Sequence, residues 1–384
     1  MQSFDFKPSI RVVFGEGKID LLGDLAKDLN GSFALLVSDP GVGGGADKAI
    51  NSLKEAKRDV VVFDDVFPNP TDEHVQYGAA FAQQYKDLNL IVGLGGGSAL
   101  DCAKGINFLL TNGGVMEDYW GFGKATKPML PSIGIPTTAG TGSEVGRSSV
   151  ITLPDTGRKT IFFHPDLMPD IAVLDPKLTI GLPPHITAAT GMDAFTHCME
   201  AYLVDSFHPM ADAIALEGIK MIIENLPKVI ENPKDLDARG QMLLSASMGA
   251  MAFQKGLGMI HSMAHPLSAE NNIHHGLANA LLIKFGLEFT ISKAMESENQ
   301  GLLSKLEEIG DIISCNTLDD ISYIPDILNK YINNIGISLG LSEYGILAEN
   351  IPPLANLAFE DSCHTTHPFP VTMEDFIAVY TGEL

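Results

Sequence analysis

Positive charge is scarce in this chain. Against 48 aspartates and glutamates stand only 25 lysines and arginines, a formal net charge of -23. A surface this acidic repels phosphate backbones and anionic lipid, which excludes nucleic acid and membrane surfaces as expected partners. Long apolar runs are missing too. No stretch of 18 or more apolar residues occurs, so no bilayer-spanning helix is expected. The opening "MQSFDFKPSI" has no apolar run preceded by basic residues, so a secretory signal is not expected either. Cysteine is sparse: Cys102, Cys198, Cys315 and Cys363 lie far apart and form no CxxC pair. That argues against a disulfide scaffold or a cysteine zinc knot, and for a reduced, cytoplasmic protein. Three motifs are also absent: GxGxxG, the Gly-Lys-Ser/Thr of a Walker loop, and HExxH.

Enough apolar material is present for a packed interior. The hydrophobic fraction is 45%, with 38 glycines and 22 prolines, as in a globular chain. At 384 residues two domains are expected. Six short runs punctuate the first half: "RVVFG" (11–15), "FALLVSD" (33–39), "DVVVF" (59–63), "NLIVGLG" (89–95), "SIGIP" (132–136) and "IAVLD" (171–175). They are rich in Val and Ile and bounded by Gly, Pro or Asp, as buried strands are. Helical spacing in "KIDLLGDLAKDL" and "ADKAINSLKEA" between them predicts a parallel α/β sheet covered on both faces. Past residue 182 the pattern turns helical, in "PPHITAATGMDAFTHCMEAYLV", "PMADAIALEGIKMIIENL" and "ARGQMLLSASMGAMAFQ". Small residues in "SASMGAMAF" predict closely packed helices. The break "GLPP" at Gly181–Pro184 sets the domains at 1–182, α/β and dinucleotide-binding, and 183–384, all-α. With so short a linker the two domains are expected to face each other across a cleft, where ligands usually sit.

Two loops follow strand-like runs. In "NLIVGLGGGSALDCAKGINFLL", Gly95, Gly96 and Gly97 join a strand to a helix. Without Cβ atoms their backbone can bend sharply and bring a phosphate close to free N–H groups at a helix N-terminus. Ser98 is placed to N-cap that helix, with Asp101 at capping-box spacing. A tight turn without a ligand is the plainer alternative. The second loop, "IPTTAGTGSEVGRSS" (135–149), reads as polar and flexible, with Thr137, Thr138, Thr141 and Ser143 able to bond a nucleotide or simply to face water.

Histidine is concentrated. Of 11 in the chain, four fall in "HSMAHPLSAENNIHHG": His261, His265, His274 and His275. His261 and His265 are i, i+4 on an expected helix, and upstream "GMDAFTHCMEAY" gives Asp193 and His197 the same spacing. Two helices each bearing such a pair can converge on one ion. His275 follows after the helix-breaking "HPLSAENN" and can close the site from a loop or a helix start. One such histidine alone would read as an interhelical hydrogen bond. Asp with imidazoles forms an O/N site that suits Fe(II), Zn, Ni, Co or Mn.

Taken in order, "FPNPT" (67–71), "GGGSALDCAK" (95–104), "IPTTAGTGSE" (135–144), "DPKLTIGLPP" (175–184), "ATGMDAFTHCMEAY" (189–202), "GMIHSMAHPL" (258–267) and the following "HHG" resemble the iron-containing (group III) alcohol dehydrogenases over nearly the whole chain. The resemblance implies the dehydroquinate synthase-like fold, an α/β nucleotide-binding domain followed by an all-α metal-binding domain. It implies Asp193, His197, His261 and His275 as ligands of Fe(2+), and leaves His265 near the substrate as a proton relay. It implies Gly96, Gly97 and Ser98 at the pyrophosphate of NAD, Asp39 at the adenosine ribose, Thr138 and Thr141 at the nucleotide, and cofactor-binding positions for Asp101 and Lys159. It implies hydride transfer between NAD(H) and a small alcohol or aldehyde, in a homodimer or higher homo-oligomer. Two departures bear on the substrate: His274 where many members have Pro, read here as solvated, and "THPFP" where "NPR" is common. Phe253 and Cys363 are candidate pocket-wall residues that packing alone would explain equally well. Rival readings are a polyol dehydrogenase, a dehydroquinate-synthase-like lyase, a hydroxyacid–oxoacid transhydrogenase and a non-catalytic metal-binding protein.

Overall fold

A computed structural model describes residues 3–4, 6, 10–119, 124–153 and 159–384, in two units. One comprises residues 7–138 and 142–181. The other comprises residues 182–384 with residues 1–6 and 139–141. The division after Gly181 therefore assigns the N-terminal arm and three residues of the second loop to the helical unit. Phe4 shows why for the arm: its ring lies 4.5 Å from that of His208 and 6.1 Å from that of Phe207.

The first unit holds strands β1 (Arg11–Phe14), β2 (Phe33–Ser38), β3 (Asp59–Phe63), β4 (Leu90–Gly95), β5 (Ser132–Pro136), β6 (Ser148–Thr152), β7 (Lys159–Phe163) and β8 (Ile171–Leu174), with helices α1 (Leu22–Asp28), α2 (Gly44–Glu55), α3 (Asp72–Ala82) and α4 (Gly97–Asn112). Six strands form a parallel sheet in the order β1-β8-β5-β4-β2-β3. Each is one of the six runs read as buried strands, although the two edge strands depart from that reading: β1 is mostly exposed and β3 mostly half-buried. Alternation along β2 sends Leu35 and Val37 to one face, against Val75 of α3 and Ile106 of α4. Ala34 and Leu36 face the other side, against Leu25 of α1 and Leu53 of α2. Every residue of β4 is buried, the outcome expected where helices cover both faces. From β2 the chain steps outward to β3, then returns to the other side of β2 as β4. The strand order thus reverses between β2 and β4, the position at which open α/β sheets bind ligands beyond the strands' carboxyl ends.

The antiparallel pair β6–β7 was not expected. Nor is the loop before it a flexible surface segment: Thr137, Ser143, Glu144, Val145 and Ser149 are buried. Its anchor is α4. Asp101 accepts from Ser143 Oγ at 2.6 Å and Val150 N at 3.0 Å. Lys104 Nζ donates to Ser143 Oγ, Gly146 O and Ser148 O at 2.7–3.0 Å. Neither charged side chain faces water, so each needs these partners and fixes the loop in obtaining them.

The second unit contains no strand among its described residues. Its helices are α5 (Pro184–Leu203), α6 (Pro209–Glu231), α7 (Leu236–Ala252), α8 (Met259–Asn271), α9 (His275–Glu296), α10 (Gln300–Ser314), α11 (Ile324–Asn334), α12 (Ile351–Glu360) and α13 (Met373–Gly382). The central one is α5, buried at every residue from Thr187 to Leu203. Small residues let its neighbours approach. A Cβ at Gly249 of α7 would stand 3.1 Å from His197 Cβ, and one at Gly276 of α9 would overlap the Ala189 carbonyl oxygen. The expected break at "HPLSAENN" is displaced. Pro266 removes one N–H from the interior of α8, yet the helix runs on to Asn271 and stops where Asn272 turns left-handed at φ 55°.

The last residues of the helical unit carry a pH-dependent cost. Glu383 is 6% exposed. Burial pushes its carboxyl up from 4.5 to about 8; Lys284 opposes the rise and Glu288 adds to it. A folded-state value above the unfolded one means stability that is complete below 4.5 and is lost as pH climbs toward 8. Glu383→Gln removes this contribution. It is expected to match the parent in urea unfolding near pH 4.5 and to exceed it by about 1–3 kcal/mol above pH 8. An equal difference at both pH values would contradict the assignment.

Candidate metal centre

Asp193 and His197 stand one turn apart on α5, His261 is in the first turn of α8, and His275 opens α9. One donor atom from each lies within 4.8 Å of every other. Asp193 Oδ1 is 3.4 Å from His275 Nε2 and 4.0 Å from His197 Nε2. The rings of His197 and His261 stack at 4.5 Å, and those of His261 and His275 lie 5.5 Å apart. Ligand bonds of about 2.0–2.2 Å place tetrahedral donors about 3.3–3.6 Å apart, so this set needs only small adjustments to enclose an ion. Asp193, His197 and His261 are buried and His275 is half-buried. Burial lowers the His197 pKa to about 4, which keeps the imidazole neutral and its lone pair available. Asn279, one turn after His275, donates to Asp193 Oδ1 at 2.9 Å. Among the described residues, buried His197 Nδ1 and Asn279 Oδ1 have no hydrogen-bond partner. A carboxylate and three imidazoles converging on one largely buried spot form a donor set that fits a divalent cation.

One further residue completes the arrangement and was not singled out from sequence. Glu200 lies seven residues after Asp193, on the same face of α5. Its carboxylate accepts from His261 Nδ1 at 2.5 Å, Ile260 N at 2.8 Å and His261 N at 3.3 Å. Burial pushes its pKa up, but His261 and these donors outweigh burial and hold it below the ordinary value. An anionic Glu200 requires the proton of His261 to sit on Nδ1, which leaves Nε2 to face the other donors. The spacing Asp193, His197, Glu200 was the available signal.

His265, one turn beyond His261, lies outside the four. Its ring stacks on His275 at 5.1 Å, and its Nδ1 is 2.8 Å from Asp361 Oδ2. His274 precedes α9 and is exposed. Phe253 places its ring 5.0 Å from that of His197. Cys363 lies beside Asp361, to whose Oδ1 its N–H donates at 2.8 Å.

In the α/β unit, the carboxyl ends of β2, β4 and β5 bring Asp39, Gly96–Ser98 and Thr137–Thr138 into neighbouring loops. Gly95 has φ 151°, and a Cβ there would overlap the Asp39 carboxylate. Thr138 Cγ2 would lie 3.4 Å from a Cβ on Gly96. Asp39 Oδ1 caps the following turn, accepting from Gly41 N at 2.8 Å. The expected capping box is absent: Gly96 is the N-cap, with no side-chain cap. Ser98 Oγ instead accepts from Asn69 N at 3.2 Å, and Asp101 is turned inward to the loop it anchors. The first N–H groups of α4 are therefore left uncapped by any side chain, as an anion site requires. Thr141 belongs to the helical unit. Lys159 opens β7, with its side chain outside the described residues.

Comparison with known proteins agrees with this architecture. Residues 8–176 match the family model for iron-containing alcohol dehydrogenase, and residues 187–384 that for the C-terminal part of the Fe-containing alcohol dehydrogenase family. Alcohol dehydrogenase 4 of Saccharomyces cerevisiae is 35% identical over 371 residues, covering 95% of this chain and 94% of that protein. NAD-dependent methanol dehydrogenase of Bacillus methanolicus is 33% identical over 378 residues, covering 97% of each. A crystal structure of 1,3-propanediol oxidoreductase superposes with a TM-score of 0.92 over 100% of both chains at 32% identity.

The Glu200–His261 pair makes a direct expectation. Glu200→Gln replaces an obligate acceptor with an amide that can donate to Nδ1, moving the proton to Nε2. Affinity for a divalent ion should fall about 10–100-fold in competition with a chromophoric chelator. Unchanged affinity would show that His261 is oriented by other contacts.

Proposed function

We propose that this chain, which belongs to the iron-containing alcohol dehydrogenase family and is an oxidoreductase acting on alcohols, moves a hydride between NAD(H) and a small alcohol or aldehyde, using Fe(2+) held by Asp193, His197, His261 and His275. The observation that carries the metal assignment is the convergence of those four donors within 4.8 Å. Zn, Ni, Co or Mn suit the same donors. A divalent ion bound there supplies Lewis acidity that lowers the pKa of an alcohol oxygen, and NAD supplies the hydride acceptor.

The remaining tasks fall to side chains and backbone. Glu200 keeps His261 in the ligating tautomer. His265 receives the hydroxyl proton at Nε2 and passes it to water; in the reverse direction it returns one. The N–H groups of Gly96, Gly97 and Ser98 hold the pyrophosphate at the start of α4, and Asp39 accepts from the ribose. Thr138 and Thr141 bond the nucleotide. Asp101 acts through the loop it anchors, and Lys159 contributes from β7. The name of the Bacillus methanolicus relative supports NAD. Four free thiols accord with a cytoplasmic enzyme. The edge strand β1, with Val12 and Phe14 38% and 40% exposed, supports self-association into a dimer or larger assembly.

A panel of alcohols and aldehydes followed by nicotinamide absorbance, with metal content measured on the same sample, tests the reaction. At least one small alcohol should reduce NAD, and His261→Ala should lose the ion and at least about 10²-fold in turnover. Full metal occupancy with parental turnover in His261→Ala would defeat the ligand set.

Cofactor choice rests on Asp39. Its carboxylate would meet the 2′-phosphate of NADP as like charge, and Pro40, Gly41 and Val42 bring no cation to offset it. NAD should therefore give the higher kcat/KM. Asp39→Gly should narrow or reverse the ratio while metal content stays constant. Equal kcat/KM for both cofactors in the parent, or an unchanged ratio in the variant, would overturn this assignment.

A further inference from the structure

Helix α8 carries two histidine–carboxylate pairs one turn apart, and they differ in exposure. His261 and its partner Glu200 have side chains 1% and 4% exposed. His265 and its partner Asp361 are 21% and 18% exposed. The first pair is sealed among the metal-ligand candidates. The second has access to water, as a group exchanging protons with solvent requires.

Asp361 is set before His265 reaches it. It follows the end of α12, and its Oδ1 accepts from the Cys363 backbone N–H at 2.8 Å and from Ser262 Oγ at 2.9 Å. Ser262 Oγ in turn accepts from His364 N at 2.8 Å, which ties α8 to the turn after α12. Oδ2 remains, and His265 Nδ1 stands 2.8 Å from it. A carboxylate with these donors can only accept, so the proton between them belongs to the imidazole.

We propose that Asp361 is the positioning residue of the proton relay. It holds the proton of His265 on Nδ1 and so keeps Nε2 as the bare, proton-accepting nitrogen. This rests on the reading of His265 as the relay. In alcohol oxidation the hydroxyl proton forms the new bond to Nε2, while the hydride leaves carbon for NAD. The resulting imidazolium keeps its Nδ1–H bonded to Asp361 and releases the Nε2 proton to water, with no further oxidant or reductant. Ring stacking on His275 fixes the plane of the imidazole, and Asp361 fixes its rotation within that plane. The competing reading of this cluster is a second metal site, since His265, Asp361 and Cys363 offer donors within 4.8 Å of one another. Against it, both Asp361 oxygens already accept from protein donors.

The test is a double-mutant cycle on metal-loaded protein. Asp361→Asn should lower kcat by about 10²–10³-fold, change KM by less than about 3-fold and leave one ion per chain. Combined with His265→Ala, it should cost no further activity, because Asp361 acts only through that imidazole. Asp361→Glu should recover part of kcat. In 15N-histidine-labelled protein without metal, the His265 Nε2 resonance should be of the unprotonated type in the parent and shift to the N–H type in Asp361→Asn. Parental kcat in His265→Ala would defeat the relay reading itself. A slow His265→Ala beside a fast Asp361→Asn would leave the relay standing and overturn the role of Asp361. An equal cost of Asp361→Asn in both backgrounds, a loss of the ion, or two ions per parent chain would overturn it as well. Should Asp361→Asn not fold, Asp361→Glu carries the same cycle, with a smaller loss in the parent and none beside His265→Ala.

Discussion

A carboxylate and three imidazoles pointing at one buried spot is the constraint on which the helical unit depends. Asn279 Nδ2 reaches Asp193 Oδ1 at 2.9 Å and the Nε2 atoms of His261 and His275 at 3.4 Å, and a divalent cation would stabilise the same donors more strongly. The surrounding chain brings these donors together through close packing. Gly276 and Gly249 allow α9 and α7 against α5 at distances that side chains would forbid. Glu200 and Asn279 then orient His261 and Asp193 by hydrogen bonds within the same interior. Rigid helices rather than loops supply every donor, which suits a site that must hold one geometry.

A related logic governs the α/β unit. Its strand order reverses between β2 and β4, and the two loops leaving those strands meet where Gly95 has no side chain beside Asp39. Beneath them, buried Asp101 and Lys104 on α4 pin the segment that follows β5. Burial moves the two groups in opposite directions, Asp101 up and Lys104 down to about 8, and the loop's hydroxyl and carbonyl groups offset that penalty. A polar segment is thereby held still at the mouth of the sheet without itself being a regular element.

Much of this was legible in the sequence because it is written in local patterns. Six Val/Ile-rich runs bounded by breakers became the six parallel strands, since a sheet covered on both faces needs continuous apolar residues. The spacing of Asp193 and His197 brought two donors to one face of α5. What escaped depends on distant partners. Glu200 looks like any glutamate on a helix until α8 is packed against α5. Asp361 lies 96 residues from His265, and nothing near it in the chain announces that pairing. Ser98 has the local chemistry of a cap, yet the tertiary contact with Asn69 takes its hydroxyl instead. The loop at 135–149 has a solvent-like composition but is immobilised by charges more than thirty residues upstream. Pro266 failed to stop α8 because a single missing N–H is tolerable within a buried helix that Asn272 later ends.

Anomalous diffraction from crystals of the protein grown with a divalent transition metal addresses the central claim without reference to activity. The expected result is one strong peak per chain, within bonding distance of Asp193, His197, His261 and His275. A peak held instead by His265, Asp361 and Cys363, or no peak near either set, would contradict the account.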